Sequence, residues 1–237
     1  MKSLKLCLLA STTLLGTLML TAQTAEEIIA KHIEAVGGKE KIGQIKTVYM
    51  ESSMEVMGNE APNVTYLING VGYRNELDFN GQKIIQVVTD KGGWAINPMA
   101  GSTDPQPIPE DQFKSSKDQI YLGGSLYKYA SNGAKLELQG KENKDYKIKV
   151  TNADSVASTY FIDTATYLIS KVTRQAIVQG QPMEINISFS NYQKTDFGYT
   201  IPFSTNSDFG QFQMASTLKK VEINKDIDPK ILEMTKK

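Results

Sequence analysis

Met183-Glu184-Ile185-Asn186-Ile187-Ser188-Phe189-Ser190 alternates apolar and polar residues without a break. Successive side chains of a strand point to opposite faces, so this run builds one apolar and one wet face. The same period of two governs Val48 to Val56, where Val48, Met50, Met54 and Val56 alternate with Tyr49, Glu51, Ser53 and Glu55. Strands with one wet face belong to antiparallel sheets. Working outward, Val64–Ile68, Tyr73–Phe79 and Lys83–Thr89 read as strands, the last two joined by an Asn80-Gly81 hairpin turn. Asp90-Lys91-Gly92-Gly93 turns into a further strand, Trp94-Ala95-Ile96-Asn97. Beyond the middle of the chain, strands recur at Lys135–Leu138, Tyr146–Val150, Thr159–Ile162, Leu168–Val178, Thr200–Asn206 and Phe212–Ile223.

Two segments break this pattern. Thr24 to Gly38 reads as a helix: Thr24 and Glu27 stand at capping-box spacing, Ile29, Ile33 and Val36 share one side, and Gly37-Gly38 stops it. Ile42 and Ile45 suggest one more turn before the period changes at Thr47. Between Pro98 and Pro109 the prolines at 98, 105, 107 and 109 cannot donate ladder hydrogen bonds, which predicts a long loop. Glu110–Tyr121 and Ser125–Tyr129 are predicted as short helices that bury Phe113, Leu122 and Leu126 against one face of the sheet. About ten or eleven antiparallel strands with an N-terminal helix and a central helical insertion make an α+β domain with a curved sheet wrapped round helices. Periodicity leaves a closed barrel or a two-sheet sandwich as alternatives.

Lys2 and Lys5 precede an apolar run from Leu6 to Leu20 that ends in Leu20-Thr21-Ala22, the pattern of a secretory signal peptide over residues 1–22. The expectation is an exported, soluble chain of one domain, residues 23–237, with no internal repeat. The sole cysteine, Cys7, falls inside the leader, so no acylation, disulfide or thiol chemistry is expected of the mature chain. Lys plus Arg and Asp plus Glu each total 26, and losing Lys2 and Lys5 leaves a slight acidic excess, which disfavours nucleic acid as a partner.

Several strings resemble the periplasmic outer-membrane lipoprotein-sorting family, the LolA-like carriers. They are Val88-Thr89-Asp90-Lys91-Gly92-Gly93-Trp94-Ala95-Ile96-Asn97-Pro98, the N-terminal Ala25-Glu26-Glu27-Ile28-Ile29-Ala30-Lys31-His32 with Gly37-Gly38, and Asn224 to Met234. The resemblance implies an incomplete β-barrel with a helical lid over an apolar cavity that takes acyl chains. On that reading Met50, Met54, Tyr66, Ile68, Leu77, Met183, Ile185, Ile187 and Phe189 face inward, Trp94 and Ile96 stand at the cavity wall, and Phe113 rides on the lid. The bland alternative is that these residues fill a dry core. In the carriers an arginine followed by proline, before the third strand, helps hold the lid shut. The corresponding Ile68-Asn69-Gly70-Val71-Gly72-Tyr73-Arg74 has no Arg-Pro, so that latch does not transfer.

The chemistry-bearing residues point away from catalysis. His32 is the sole histidine and, at the edge of the first helix's apolar stripe, lacks partners for a metal site or triad. Nucleophile elbows, phosphate loops and zinc-binding helix motifs are absent from the sequence. The resulting expectation is a monomeric, cofactor-free periplasmic carrier that holds acyl chains of a lipoprotein or another lipid and meets an inner- or outer-membrane transport partner. A non-enzymatic sensor or adaptor that detects lipoproteins or binds a membrane-anchored partner is the second reading, and a hydrolase using dispersed carboxylates a distant third.

Overall fold

Thr24 caps the first helix as its spacing to Glu27 requires. Thr24 Oγ1 accepts from the Glu27 amide, and Glu27 Oε2 accepts from the Thr24 amide, both at 3.2 Å. Helix α1 (Ala25–Ala35) then buries Ile28, Ile29 and His32, and Gly37 and Gly38, both at positive φ, redirect the chain into α2 (Lys39–Gly43). The computed structural model describes residues 23–56, 58–127, 129–178, 181–210 and 212–234. The expected leader and Cys7 lie outside the described residues.

A meander follows, formed by β1 (Thr47–Val56), β2 (Asn59–Ile68), β3 (Gly72–Phe79), β4 (Gln82–Thr89), β5 (Gly93–Asn97) and β6 (Ser102–Pro107). A second meander is formed by β7 (Lys135–Glu142), β8 (Asp145–Thr151), β9 (Ala157–Asp163), β10 (Ile169–Val178), β11 (Gln181–Lys194), β12 (Thr200–Asp208) and β13 (Gln213–Ile223). Pairing of β1 with β13 in register Val48↔Ile223 fuses the two into one antiparallel sheet of 13 strands among the described residues, in the order β6-β5-β4-β3-β2-β1-β13-β12-β11-β10-β9-β8-β7. The sheet has two edges, β6 and β7, and does not close.

Two sequence expectations change here. The proline-rich stretch is not only loop, since β6 runs through Pro105 and Pro107 as an edge strand, where missing N–H donors do no harm. The second predicted helix does not form: Gly123 (φ 70°) and Gly124 (φ 59°) are both left-handed and replace it with consecutive turns. What remains helical in the insertion is α3 (Glu110–Ser116) and a 3₁₀ turn over Lys117–Ile120.

The insertion, residues 108–134, joins one sheet edge to the other and packs across the concave face, and we call it the strap. Its middle is tied to both meanders. The Gly70 amide donates to Ile120 O at 2.7 Å and the Leu122 amide to Asn69 Oδ1 at 3.0 Å. On the far side Asn152 Nδ2 donates to Asp118 Oδ2 at 2.8 Å, and Lys117 pairs with Asp154 at 3.7 Å. Ile120 and Leu126 are fully buried beneath it. One core packs α1 and Leu126 on Tyr146, Ile148, Val150 and Ile162, and another packs Val36, Ile42 and Ile45 on Val48, Leu67, Tyr199 and Ile201. Among the described residues no helix is long and apolar enough to cross a membrane.

A third core lies on the convex face. Val87, Trp94 and Leu232 pack together there, with Ile68, Ile85 and Ile96 against them. A 3₁₀ turn, Pro229–Leu232, seals the group: Trp94 Nε1 donates to Leu232 O at 3.0 Å and Arg74 Nη1 to Ile231 O at 2.7 Å. Leu232→Ala should therefore lower unfolding free energy by about 2–4 kcal/mol through lost burial and the cavity left behind. Urea unfolding measures this, and a loss below about 0.5 kcal/mol would show that the turn is not docked in solution.

Candidate functional site

Cross-strand registers fix which side chains share the concave face. Met50 stands opposite Thr65, Ser52 opposite Asn63 and Met54 opposite Ala61, so β2 turns Ala61, Asn63, Thr65 and Leu67 inward. Tyr66 and Ile68 therefore face outward, contrary to the sequence expectation. Tyr66 rests on Tyr49 with ring centroids 5.3 Å apart. The reason is that the inward polar groups satisfy one another: Asn63 donates to Ser52 at 3.2 Å, and Asn75 donates to Asn63 at 2.8 Å and to Thr65 at 3.0 Å. A period-two reading that turns the larger apolar side chains inward misassigns such a strand.

Trp94 and Ile96 are corrected in the same way. Trp94 pairs with Val87 and Ile96 with Ile85, on the convex face. Inward, β5 presents Gly93, where a Cβ would come within 2.6 Å of Ile108. Met50, Met54 and Leu77 do take the concave face, as do Met183 and Ile185, while Phe113 sits half-buried on α3 with Lys117 Nζ 6.0 Å from its ring. None of these lines either of the cavities described next. Ile187 and Phe189 do.

The cavity they line has a volume of about 310 Å³ and lies between α1, the strap and strands β9 to β12. Val172 on β10 stands opposite Ile187 on β11 and Tyr160 on β9, which sets an apolar floor. His32 and Val36 close it from α1, and Asp118, Gly124 and Tyr127 from the strap. The lining also includes Tyr192 and Tyr199. Tyr192 donates to Ile169 O at 2.7 Å, and the Tyr127 and Tyr199 hydroxyls lie 3.3 Å apart. Burial raises the pKa of all four tyrosines, that of Tyr160 to about 12 with help from the Asp118 charge, so the wall stays neutral in this quarter. A second, wider cavity of about 610 Å³ lies between α1, α2 and residues 122–131, with Glu26, Glu34 and Lys39 in its lining.

Charge enters the first cavity at two side chains. Asp118 already accepts from Asn152 and from the Ser125 hydroxyl. Arg174 reaches the cavity from β10, where it stands opposite Ile185 and Ser158. Sequence reading placed it within a strand without singling it out. The signal was parity, because Arg174 shares the inward face with Val172 two residues earlier. Among the described residues no cluster of three His, Cys, Asp or Glu side chains that could hold a metal occurs.

No family model matches this chain, and no curated protein matches it in sequence. Solved structures do match in fold. A LolA superfamily protein from Nitrosomonas europaea aligns at 11% identity, covering 90% of this chain and 98% of its own, with a TM-score of 0.58. A DUF1329 family protein from Desulfovibrio piger aligns at 12% identity over 90% and 98%, TM-score 0.53. An outer membrane lipoprotein-sorting protein domain from Vibrio parahaemolyticus aligns at 11% identity over 87% and 94%, TM-score 0.52. The chain has the LolA-like fold.

His32 gives the cavity wall a pH dependence. Its Nδ1 lies 2.8 Å from Tyr167 O, and since a carbonyl can only accept, Nδ1 carries the proton and Nε2 faces the Tyr127 hydroxyl at 3.5 Å. Burial pushes the imidazole pKa from 6.5 down to about 4. The folded state thus resists protonation that the unfolded chain accepts, and stability present above pH 6.5 should fall as the pH drops toward 4, by on the order of 3 kcal/mol. His32→Gln should flatten this part of the profile in urea unfolding at pH 7.5, 6, 5 and 4 (roughly the titration window). An unchanged slope would assign the pH dependence to other groups.

Proposed function

We propose that this chain is a binding protein, not a catalyst, and that it shelters an acyl chain or a comparable apolar group beneath the strap. The observation that carries this reading is the cavity floored by Val172, Ile187 and Phe189. A void of about 310 Å³ bounded largely by apolar and aromatic side chains is the size and character of a small-molecule pocket. The LolA-like fold supports the same reading, as does the lipoprotein-sorting name of the Vibrio parahaemolyticus domain. The leader expected over residues 1–22 supports placement in the periplasm. Without an Arg-Pro before β3, retention of the strap falls to the hydrogen bonds at Asn69, Gly70 and Asn152 instead.

Native protein should bind a fluorescent acyl probe, and Ile187→Trp, which fills the cavity from its floor, should weaken binding at least about tenfold. Stability of the variant should change by less than about 1.5 kcal/mol, because the added ring enters existing space. A wild-type chain that binds no probe, with a variant destabilised by overpacking, would establish a filled core. Probe should also slow amide exchange in residues 110–127 more than in β11; equal protection in both segments would make the strap a fixed part of the fold.

A further inference from the structure

We propose that Arg174 receives the oxyanion head, a carboxylate or a phosphate, of a single-chain amphiphile whose tail lies against Val172, Ile187 and Phe189. This rests on the acyl-binding reading above and names the ligand class it admits.

Among the described residues, Arg174 is the one cation lining this cavity. Its Nε is buried and finds no acceptor, and no ion pair joins it to another described residue. A guanidinium cannot escape burial by losing its proton, so its charge has to be met by a partner or by solvent. The carboxylate lining the same space, Asp118, is held by Ser125 and Asn152. The neighbours opposite Arg174 along the sheet, Ser158 and Ile185, bring no negative charge. Burial raises the pKa of Tyr73 on β3 and of Tyr160 on β9, and the charge of Arg174 partly opposes that rise in both.

Position makes this an anchor for one end of a ligand. Val172 and Arg174 are consecutive inward residues of β10, so the cation and the apolar floor are adjacent. An amphiphile matches that pattern with its head on Arg174 and its tail over Val172. The planar fork of a guanidinium pairs two of its N–H groups with two oxygens of a carboxylate or phosphate, which an alcohol or ester cannot reproduce. The volume, about 310 Å³, is at the low end of small-molecule pockets and suits one chain better than several.

The test is displacement of the neutral dye Nile red by decanoate, decyl phosphate and decanol. Wild-type protein should bind at least one of the two anions about tenfold or more tightly than decanol. A preference for decanoate identifies a free fatty acid, and a preference for decyl phosphate a phosphate head. Arg174→Met should bring the anions to the level of decanol while leaving decanol and Nile red within about twofold of wild type. Arg174→Lys, which keeps the charge without the fork, should fall between the two. Binding of Nile red and decanol with no anion preference in the wild type, or a preference that survives Arg174→Met, would overturn the assignment and leave the acyl-binding reading intact. If Arg174→Met does not fold, the wild-type preference and its reduction in Arg174→Lys decide the matter. Failure of every compound to bind the wild type would overturn both.

Discussion

The pairing of β1 with β13 is the constraint on which the rest depends. It places the first and last strands side by side in the middle of the sheet, so each meander runs outward to a free edge. The segment that joins those edges has to leave the sheet, and it packs across the concave face. The strap is thus a consequence of connectivity before it is a consequence of its own sequence. It also shields apolar surface that an open sheet of this size would otherwise expose to water, with Ile120 and Leu126 as its buried contacts.

Beneath the strap, the two meanders solve the interior differently. On β1 to β3, Ser52, Asn63, Thr65 and Asn75 meet in a hydrogen-bonded group, so buried polar atoms are matched within the protein. On β9 to β12 the wall is apolar and aromatic, its hydroxyls are largely committed to neighbours, and a cation stands unmatched in it. A satisfied polar group strengthens a core, whereas a buried donor left without an acceptor, as at Arg174 Nε, weakens it by about 1–3 kcal/mol. The second wall therefore gives up stability where the first does not, the usual mark of a surface shaped for something other than folding.

Local features of this fold are legible in the sequence to the extent that they depend on neighbours in the chain. The Thr24–Glu27 capping box forms as spaced, and Asn80-Gly81 forms its turn with both residues at positive φ. β11 runs through the fully alternating stretch and extends beyond it at both ends. What could not be read depends on distant segments. The outward placement of Trp94 and Ile96 needs the C-terminal turn to return and cover them, and nothing in β5 announces that return. The outward placement of Tyr66 needs Asn63 and Thr65 to find Asn75 on the next strand. Arg174 was the exception, since its parity with Val172 was already visible, but an arginine in a strand is ordinarily assigned to the wet face.

The two anchorages of the strap are unequal, and this bears on how a ligand reaches the cavity. At the β2–β3 turn the ties are neutral hydrogen bonds from Gly70 to Ile120 and from Leu122 to Asn69, each contributing about 0.5–1.5 kcal/mol net. At the β8–β9 turn the tie is made to a carboxylate, since Asp118 accepts from Asn152, and bonds to a charged group are about twice as strong. Releasing the first tie would also uncover Ile120, at about 1.5–3 kcal/mol for a side chain of that size. Releasing the β8–β9 tie while the β2–β3 ties and Ile120 stay in place is therefore the less costly route, and it frees the stretch of strap that borders the cavity at Asp118. A ligand entering this way would meet the neutral aromatic wall while the strap remains pinned at Ile120 and Leu122.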